Sequence, residues 1–247
     1  ELSLIKLAKK IGFNHISASH EVTPTIKLIG RASTTVVDAY LSPPLHKYTD
    51  QINSQMKNIT TLFMQSNGGL TSASQFQGKD AVLSGPAGGV VAVASIAKKE
   101  GIHKAISFDM GGTSTDIAHY AGEYERNFEN TISGVDVRAP MIAIKTIAAG
   151  GGSICKFDGL RLRVGPESAG SIPGPAAYRL GGPLTITDCN IALGRIQPEF
   201  FPKIFGENGS QPLDINTVHR SFKDLKIEIK KNLKENKKTE EIADGFI

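Results

Sequence analysis

The sequence predicts an α/β domain, a mixed sheet flanked by helices, and the order of its hydrophobic patterns is the reason. Stretches with apolar residues three and four apart alternate with short β-branched apolar runs. Glycine stands at 26 of 247 residues, where average usage gives roughly 17. That excess falls in three short clusters that follow or precede the predicted strands, rather than in low-complexity sequence.

Leu2 to Lys10 carries the spacing of a short helix through Leu4, Ile5 and Ala8, and Asn14 to Thr23 reads as an extended stretch leading to Pro24. A helix is expected from Arg31 to Leu41. Pro43-Pro44 should interrupt or kink it, because neither proline offers an N–H and each restricts the residue before it. Tyr48, Ile52 and Met56 then continue a second helical stretch. Thr60 to Gln65 is β-branched and apolar, a strand ending in the turn Asn67-Gly68-Gly69. Leu83 to Gly89 reads as a glycine-rich turn feeding a helix from Val90 to Lys99 that stops at Gly101. Strands follow at Lys104 to Phe108, Ile117 to Tyr120, Glu123 to Phe128, Met141 to Ile147 and Leu160 to Val164, then a Gly/Pro-rich loop from Gly165 to Gly182. A helix from Ile186 to Leu193 opens near Asp188. The last long pattern, Ile215, Val218, Phe222, Leu225, Ile229 and Leu233, is an amphipathic helix, and a new helical pattern begins at Glu240 to Ala243.

Charge and composition exclude several classes. The net charge of +4 is local, since Arg220 to Lys238 holds eight Lys/Arg against Asp224, Glu228 and Glu235. These lysines lie on the outer face of the amphipathic helix, and with 6% aromatics and no Trp no stacking pattern supports nucleic-acid binding. No apolar run is long enough to span a membrane. Two cysteines cannot form a disulfide framework for a chain of this size, so a reducing, cytoplasmic setting is expected. The first residue is Glu1 rather than Met, and the pattern at Glu240 is cut short, so a longer protein is expected around this chain.

Chemistry concentrates in the glycine clusters. In Phe108-Asp109-Met110-Gly111-Gly112-Thr113-Ser114-Thr115-Asp116, two glycines let backbone N–H groups approach an anion. Thr113, Ser114 and Thr115 offer hydroxyls, and Asp109 and Asp116 offer hard oxygens for Mg²⁺. An ordinary Gly-Gly hairpin turn would use the same residues. Gly150-Gly151-Gly152-Ser153 follows a strand and either lets a ring or phosphate lie against bare backbone or marks a tight crossing of chain. Gly85 to Gly89 at a helix start is a generic anion site or a packing contact, and lacks the Gly-Lys-Ser/Thr of a Walker loop. His15, His20, His46, His103, His119 and His219 are scattered without zinc-site spacing. Cys155 is a candidate nucleophile or a buried apolar residue, and Asp188 a helix N-cap or a catalytic, ligand-orienting carboxylate.

Taken in order, Met64-Gln65-Ser66-Asn67-Gly68-Gly69, Leu83 to Gly89, Phe108 to Asp116, Thr146 to Ser153, Val164 to Gly170, Pro173-Gly174-Pro175-Ala176 and Thr187-Asp188-Cys189-Asn190 with Leu193-Gly194-Arg195 resemble the hydantoinase A/5-oxoprolinase family. The resemblance runs from about Ser33 to Phe205, preceded by a connector element at Arg31 to Val36. It implies the actin-like ATPase fold of sugar kinases, actin and the large heat-shock chaperones, in which two ribonuclease-H-like lobes close on ATP and Mg²⁺. This chain would supply the second lobe. Residues 1–34 would be a connector from an upstream lobe, 35–212 the ATPase-lobe domain, and 213–247 a truncated helical segment.

By the same resemblance, the activity is ATP-dependent opening of a cyclic amide such as 5-oxoproline or a hydantoin, through phosphorylation of its carbonyl oxygen. Asp109 would hold Mg²⁺ through water or orient the attacking oxygen, Gly111 to Thr115 would bind phosphate, and Asp116 would support the hairpin or the metal shell. Gly150 to Ser153 would approach the adenosine side, and Asp188 would join the catalytic group. A hydantoinase B-like subunit or domain is the implied partner. Three positions depart from the family pattern: Ala148 where Gly is more frequent, Ala177 where Cys is frequent, and Lys145 where His is common. An ATP-dependent ketone carboxylase subunit has similar sequence features. A nucleotide-gated chaperone or scaffold is the rival from outside enzymology.

Overall fold

The computed structural model describes residues 1–247, and the chain forms two compact units: Glu1–Ser107 with Ile117–Lys145, and Phe108–Asp116 with Thr146–Ile247. These divisions differ from the 34/35 and 212/213 boundaries expected from sequence. No helix is long and apolar enough to cross a membrane.

In the first unit, α1 (Leu2–Ile11) ends where Gly12, at φ 105°, donates its N–H to the carbonyls of Ala8 and Lys9, a left-handed cap that suits glycine. The expected extended stretch contains a single turn, α2 (Ser19–Val22), and the two expected helices are one, α3 (Leu28–Gln55), which runs through Pro43-Pro44 without a break. Tertiary bonds override the prolines. The buried Asp38 carboxylate accepts from the hydroxyls of Ser17 and Ser42 and from the Lys79 N–H, and the Ser42 hydroxyl accepts from the Gly78 N–H. These clamp the α3 backbone just before the two missing donors.

A two-stranded hairpin follows, β1 (Phe63–Met64) with β2 (Leu70–Thr71), turned at Gly68 with φ 84°. Next come α4 (Gly78–Ala81) and α5 (Ser84–Lys99). Gly85 to Gly89, expected as a turn, lies inside α5. Its packed face, Ala87, Val90, Ala94 and Ala97, sits against Ala118, Tyr120 and Ile142, and small residues along that face permit close approach.

Strands β3 (Ala105–Met110) and β4 (Thr115–Tyr120) are followed by β5 (Arg126–Asn127), β6 (Asn130–Ile132), β7 (Val135–Val137), β8 (Met141–Ile142) and β9 (Lys145–Ile147). The expected single strand from Met141 to Ile147 is thus two, because its halves have different partners. β8 pairs with β5, whereas β9 joins the three-stranded sheet β3-β4-β9. Instead of one mixed sheet the chain has this sheet and four two-stranded ones.

The second unit contains the outer ends of β3, β4 and β9, the antiparallel pair β10 (Ser153–Phe157) and β11 (Leu162–Ser168), and helices α6 (Ile186–Ala192), α7 (Ile215–Leu233) and α8 (Thr239–Phe246). Its core is formed by Val218, Phe222 and Ile229 of α7, Ile242, Ala243 and Phe246 of α8, and Ile186, Cys189 and Ile191 of α6. Side chains such as Phe222 and Ile229, each at most 1% exposed, stabilise the unit by about 2 kcal/mol apiece. The segment 213–247 is therefore part of this unit's core and not an appendage to it.

Candidate functional site

The tip between β3 and β4 closes with the Gly111 N–H donating to the Ser114 carbonyl at 2.9 Å. The glycine triplet meets it from the side. Gly151 N–H donates to the Gly111 carbonyl at 3.0 Å and Gly152 N–H to the Gly112 carbonyl at 2.6 Å. Because a peptide unit is planar and trans, its N–H points opposite to its carbonyl. With the Gly111 and Gly112 carbonyls turned into the triplet, the N–H groups of Gly112 and Thr113 are turned away from it, on a stretch of chain that is exposed from Phe108 to Thr113. Successive backbone N–H groups that are free of internal partners are the kind of donor an anion takes.

The carboxylates stand at either end of the tip. Asp109 is exposed, whereas Asp116 is half-buried and its Oδ1 accepts a hydrogen bond from the Thr146 hydroxyl at 2.6 Å. No group of three or more His, Cys, Asp or Glu side chains is placed to hold a metal ion. Asp109 and Asp116 offer at most two carboxylates, a donor set that suits Mg²⁺, which takes one or two carboxylates and completes its shell with phosphate oxygens and water.

Several expected ligand contacts face inward instead. The Thr115 hydroxyl is buried and donates to the Ala149 carbonyl at 2.6 Å, which leaves Thr113 and Ser114 as the hydroxyls toward solvent. The Ser153 hydroxyl, also buried, accepts from the Gly150 N–H at 2.9 Å. At each of the three glycines the space a side chain would need is already filled. A Cβ on Gly150 would stand 2.6 Å from the Gly112 oxygen, one on Gly151 2.8 Å from the Thr187 hydroxyl, and one on Gly152 2.9 Å from the Gly112 oxygen. The triplet is a tight crossing that seats the hairpin, the second of the two readings its glycines allowed.

Asp188 lies in the same unit but behind the tip. Thr185 is the N-cap of α6 and Asp188 the third residue of its first turn, not the cap itself. Its carboxylate is fully buried and accepts from the Ala176 N–H at 3.1 Å, the Ala177 N–H at 2.9 Å, the Thr185 N–H at 2.8 Å and the Thr185 hydroxyl at 2.9 Å. Burial pushes its pKa up, against those hydrogen bonds, which favour the ionised form. Asp188 fastens the Pro173 to Ala177 loop to α6, and no oxygen of it is left for a substrate.

Sequence reasoning missed three residues that build this site. Thr187 donates both its N–H and its hydroxyl to the Gly151 carbonyl, so α6 braces the triplet. Thr146 binds Asp116, and Ala149 receives Thr115. All three lie inside stretches that stand out in the sequence, Thr146 and Ala149 beside the triplet and Thr187 next to Asp188, but their hydrogen bonding carries no mark there. Cys155 faces Cys189 with the sulfurs 3.7 Å apart, both buried. The bond to Cys189 and burial push its thiol pKa up, which removes it as a nucleophile.

Comparison with known proteins agrees with this architecture. The sequence profile of the hydantoinase/oxoprolinase family matches residues 31–247. The 5-oxoprolinase of Saccharomyces cerevisiae is 48% identical over 246 residues, 98% of this chain and 19% of that protein. The alpha subunit of caprolactamase from Pseudomonas jessenii is 41% identical over 189 residues, 72% of this chain and 27% of that protein. The crystal structure of the ATP-dependent caprolactamase from Pseudomonas jessenii superposes with a TM-score of 0.73 at 33% identity, over 100% of this chain and 36% of that one. Nucleotide-free acetone carboxylase superposes with a TM-score of 0.72 at 24% identity, over 97% of this chain and 34% of that one, a likeness of fold alone. The chain spans about a fifth of the length of the yeast relative. Over almost its whole length, by profile and by pairwise identity, this chain belongs to the hydantoinase/oxoprolinase family.

Proposed function

We propose that this chain supplies a phosphate-binding lobe to an ATP-dependent cyclic amide hydrolase of the 5-oxoproline or hydantoin type. One observation carries the reading: the two outward N–H groups of Gly112 and Thr113, held between the carboxylates of Asp109 and Asp116. The 48% identity to a 5-oxoprolinase supports 5-oxoproline over other lactams. ATP, when bound, supplies the phosphoryl group that turns an unreactive amide carbonyl into one bearing a leaving group.

The chain's own residues position and stabilise. Gly112 and Thr113 N–H, with the Thr113 and Ser114 hydroxyls, bind phosphate oxygens. Asp109, exposed and unencumbered by packing, holds Mg²⁺ through water or orients the attacking oxygen, and Asp116 completes the metal shell. In this reading the fold is one ribonuclease-H-like lobe of an actin-like ATPase, and the complete protein acts in the cytoplasm. Residues 1–34 then join the lobe to its counterpart. A hydantoinase B-like subunit or domain completes the enzyme, in keeping with a relative that is an alpha subunit.

The test is Mg-ATP turnover by the full-length protein with its partner, with and without 5-oxoproline. Stimulation by 5-oxoproline, with ring-opened product formed in step with ATP consumption, is expected. Turnover that responds to a ketone only when bicarbonate is present would replace this reading with a carboxylase. Basal hydrolysis that no lactam, hydantoin or ketone stimulates would replace it with a nucleotide-gated scaffold.

A further inference from the structure

We propose that Thr146 is a positioning residue that fixes the Asp116 carboxylate for metal binding at the hairpin, an assignment that rests on the Mg-ATP reading above. An aspartate on a strand end turns freely about its last torsion, so its two oxygens exchange places and directions unless something binds one of them. Here the Thr146 hydroxyl binds Oδ1 at 2.6 Å, a short, charge-assisted bond. Because the hydroxyl gives its proton to Oδ1, the carboxylate is held in one rotamer and Oδ2 is the oxygen left for a metal ion.

The bond is made between two pieces of chain that are themselves held. Thr146 lies on β9, the neighbour of β4 in the β3-β4-β9 sheet, and is β-branched, so its hydroxyl direction is restricted. Three residues further along, the Ala149 carbonyl accepts from Thr115, the residue next to Asp116. Two consecutive hairpin side chains are therefore bound by one short segment, Thr115 by a carbonyl and Asp116 by a hydroxyl. Thr146 is exposed, so its side chain contributes little to packing, and a hydroxyl-free isostere separates positioning from folding.

The experiment compares Thr146→Val and Thr146→Ser in the full-length protein with its partner, reading Mg²⁺ affinity by titration calorimetry with a non-hydrolysable ATP analogue bound, and ATP turnover against Mg²⁺ concentration. Thr146→Val is expected to raise the half-saturating Mg²⁺ concentration roughly tenfold, as loss of a bond to a charged group would. Thr146→Ser, which keeps the hydroxyl, is expected to stay within about twofold. In an Asp116→Ala background, Thr146→Val should have no further effect. The assignment is overturned if Thr146→Val leaves the Mg²⁺ dependence unchanged while Asp109→Asn abolishes turnover, an outcome that leaves the ATP reading standing. It is equally overturned if Thr146→Val lowers the melting temperature and kcat without moving the Mg²⁺ dependence. Unchanged turnover in Asp109→Asn would sink the phosphate-hairpin reading and this assignment with it.

Discussion

Gly150→Ala separates a seat for the hairpin from a surface for a ligand. The backbone of Gly150 lies outside the left-handed region, so alanine meets no conformational penalty, and the effect is purely steric. Its Cβ would stand 2.6 Å from the Gly112 oxygen, 2.7 Å from the Gly112 carbonyl carbon and 2.8 Å from the Gly111 oxygen. All three are backbone atoms and cannot rotate aside. Reaching ordinary contact requires the tip to retreat by about 0.8 Å, which stretches the Gly151–Gly111 and Gly152–Gly112 hydrogen bonds. Overpacking of this kind costs about 1–3 kcal/mol and each weakened bond about 0.5–1 kcal/mol, so a loss of roughly 2–4 kcal/mol is expected. Displacement of phosphate-binding N–H groups by nearly 1 Å should also lower ATP turnover by about a hundredfold. Denaturant unfolding and Mg-ATP turnover of the full-length protein measure the two effects. Gly85→Ala is the control for stability, because no atom lies within 4 Å of its Cβ and alanine in a helix is favoured over glycine. If Gly150→Ala matched the wild type in both assays, the seating role of the triplet would be refuted.

Asp188→Asn should fail by folding and not by chemistry. An amide offers one acceptor oxygen where the carboxylate serves four donors, and leaving two buried donors unmet costs about 2–5 kcal/mol; urea unfolding that showed no loss would contradict the bracing role. Asp109→Asn should do the reverse, with turnover reduced at least about a hundredfold and the melting temperature unchanged, since the side chain is exposed. For Cys155 and Cys189, whose burial keeps the Cys155 thiol protonated, a pulse of iodoacetamide followed by peptide mapping should label neither in the native protein and both in urea. Rapid native labelling of Cys155 would reopen its candidacy as a nucleophile.

What was legible in the sequence follows from which forces set each element. The pattern from Ile215 to Leu233 was readable because one helix face alone meets a core, so period and burial coincide. α3 was not readable through Pro43-Pro44, because the bonds that hold it come from Ser17 and Lys79, distant in sequence. The start of α5 was hidden by glycines, which weaken local helix preference, while its packing against Ala118 and Ile142 comes from Ala87 and Val90. The break between Met141 and Ile147 was invisible for a further reason: both halves are strand, and only the identity of the partner changes. Asp188 is legible as the acidic residue of a helix's first turn, but its bracing role is not. Its partners at Ala176 and Ala177 are backbone N–H groups, which carry no sequence mark.

The glycine triplet shows why a motif can be located while its two readings stay open. Glycine reports that something comes close; it does not report what. In this chain the thing that comes close is the other motif, and the departures from the family pattern follow from that. Ala148 stands where Gly is more frequent and is exposed, so a methyl group there meets nothing of the hairpin. Gly150 and Gly152 are buried against carbonyls of the tip and have no such latitude. Ala177, where the family resemblance has a frequent Cys, is fully buried and its N–H is bound to Asp188. Neither departure touches the hairpin tip of the proposed phosphate site. Lys145, the third, is exposed at the start of β9, one residue before Thr146, and is the one that changes the charge beside the Asp116 carboxylate's support. If the reading of the hairpin as the phosphate site holds, Lys145 is the departure whose substitution is expected to change turnover, whereas the tip is held through backbone groups of Gly111, Gly112, Gly151 and Gly152.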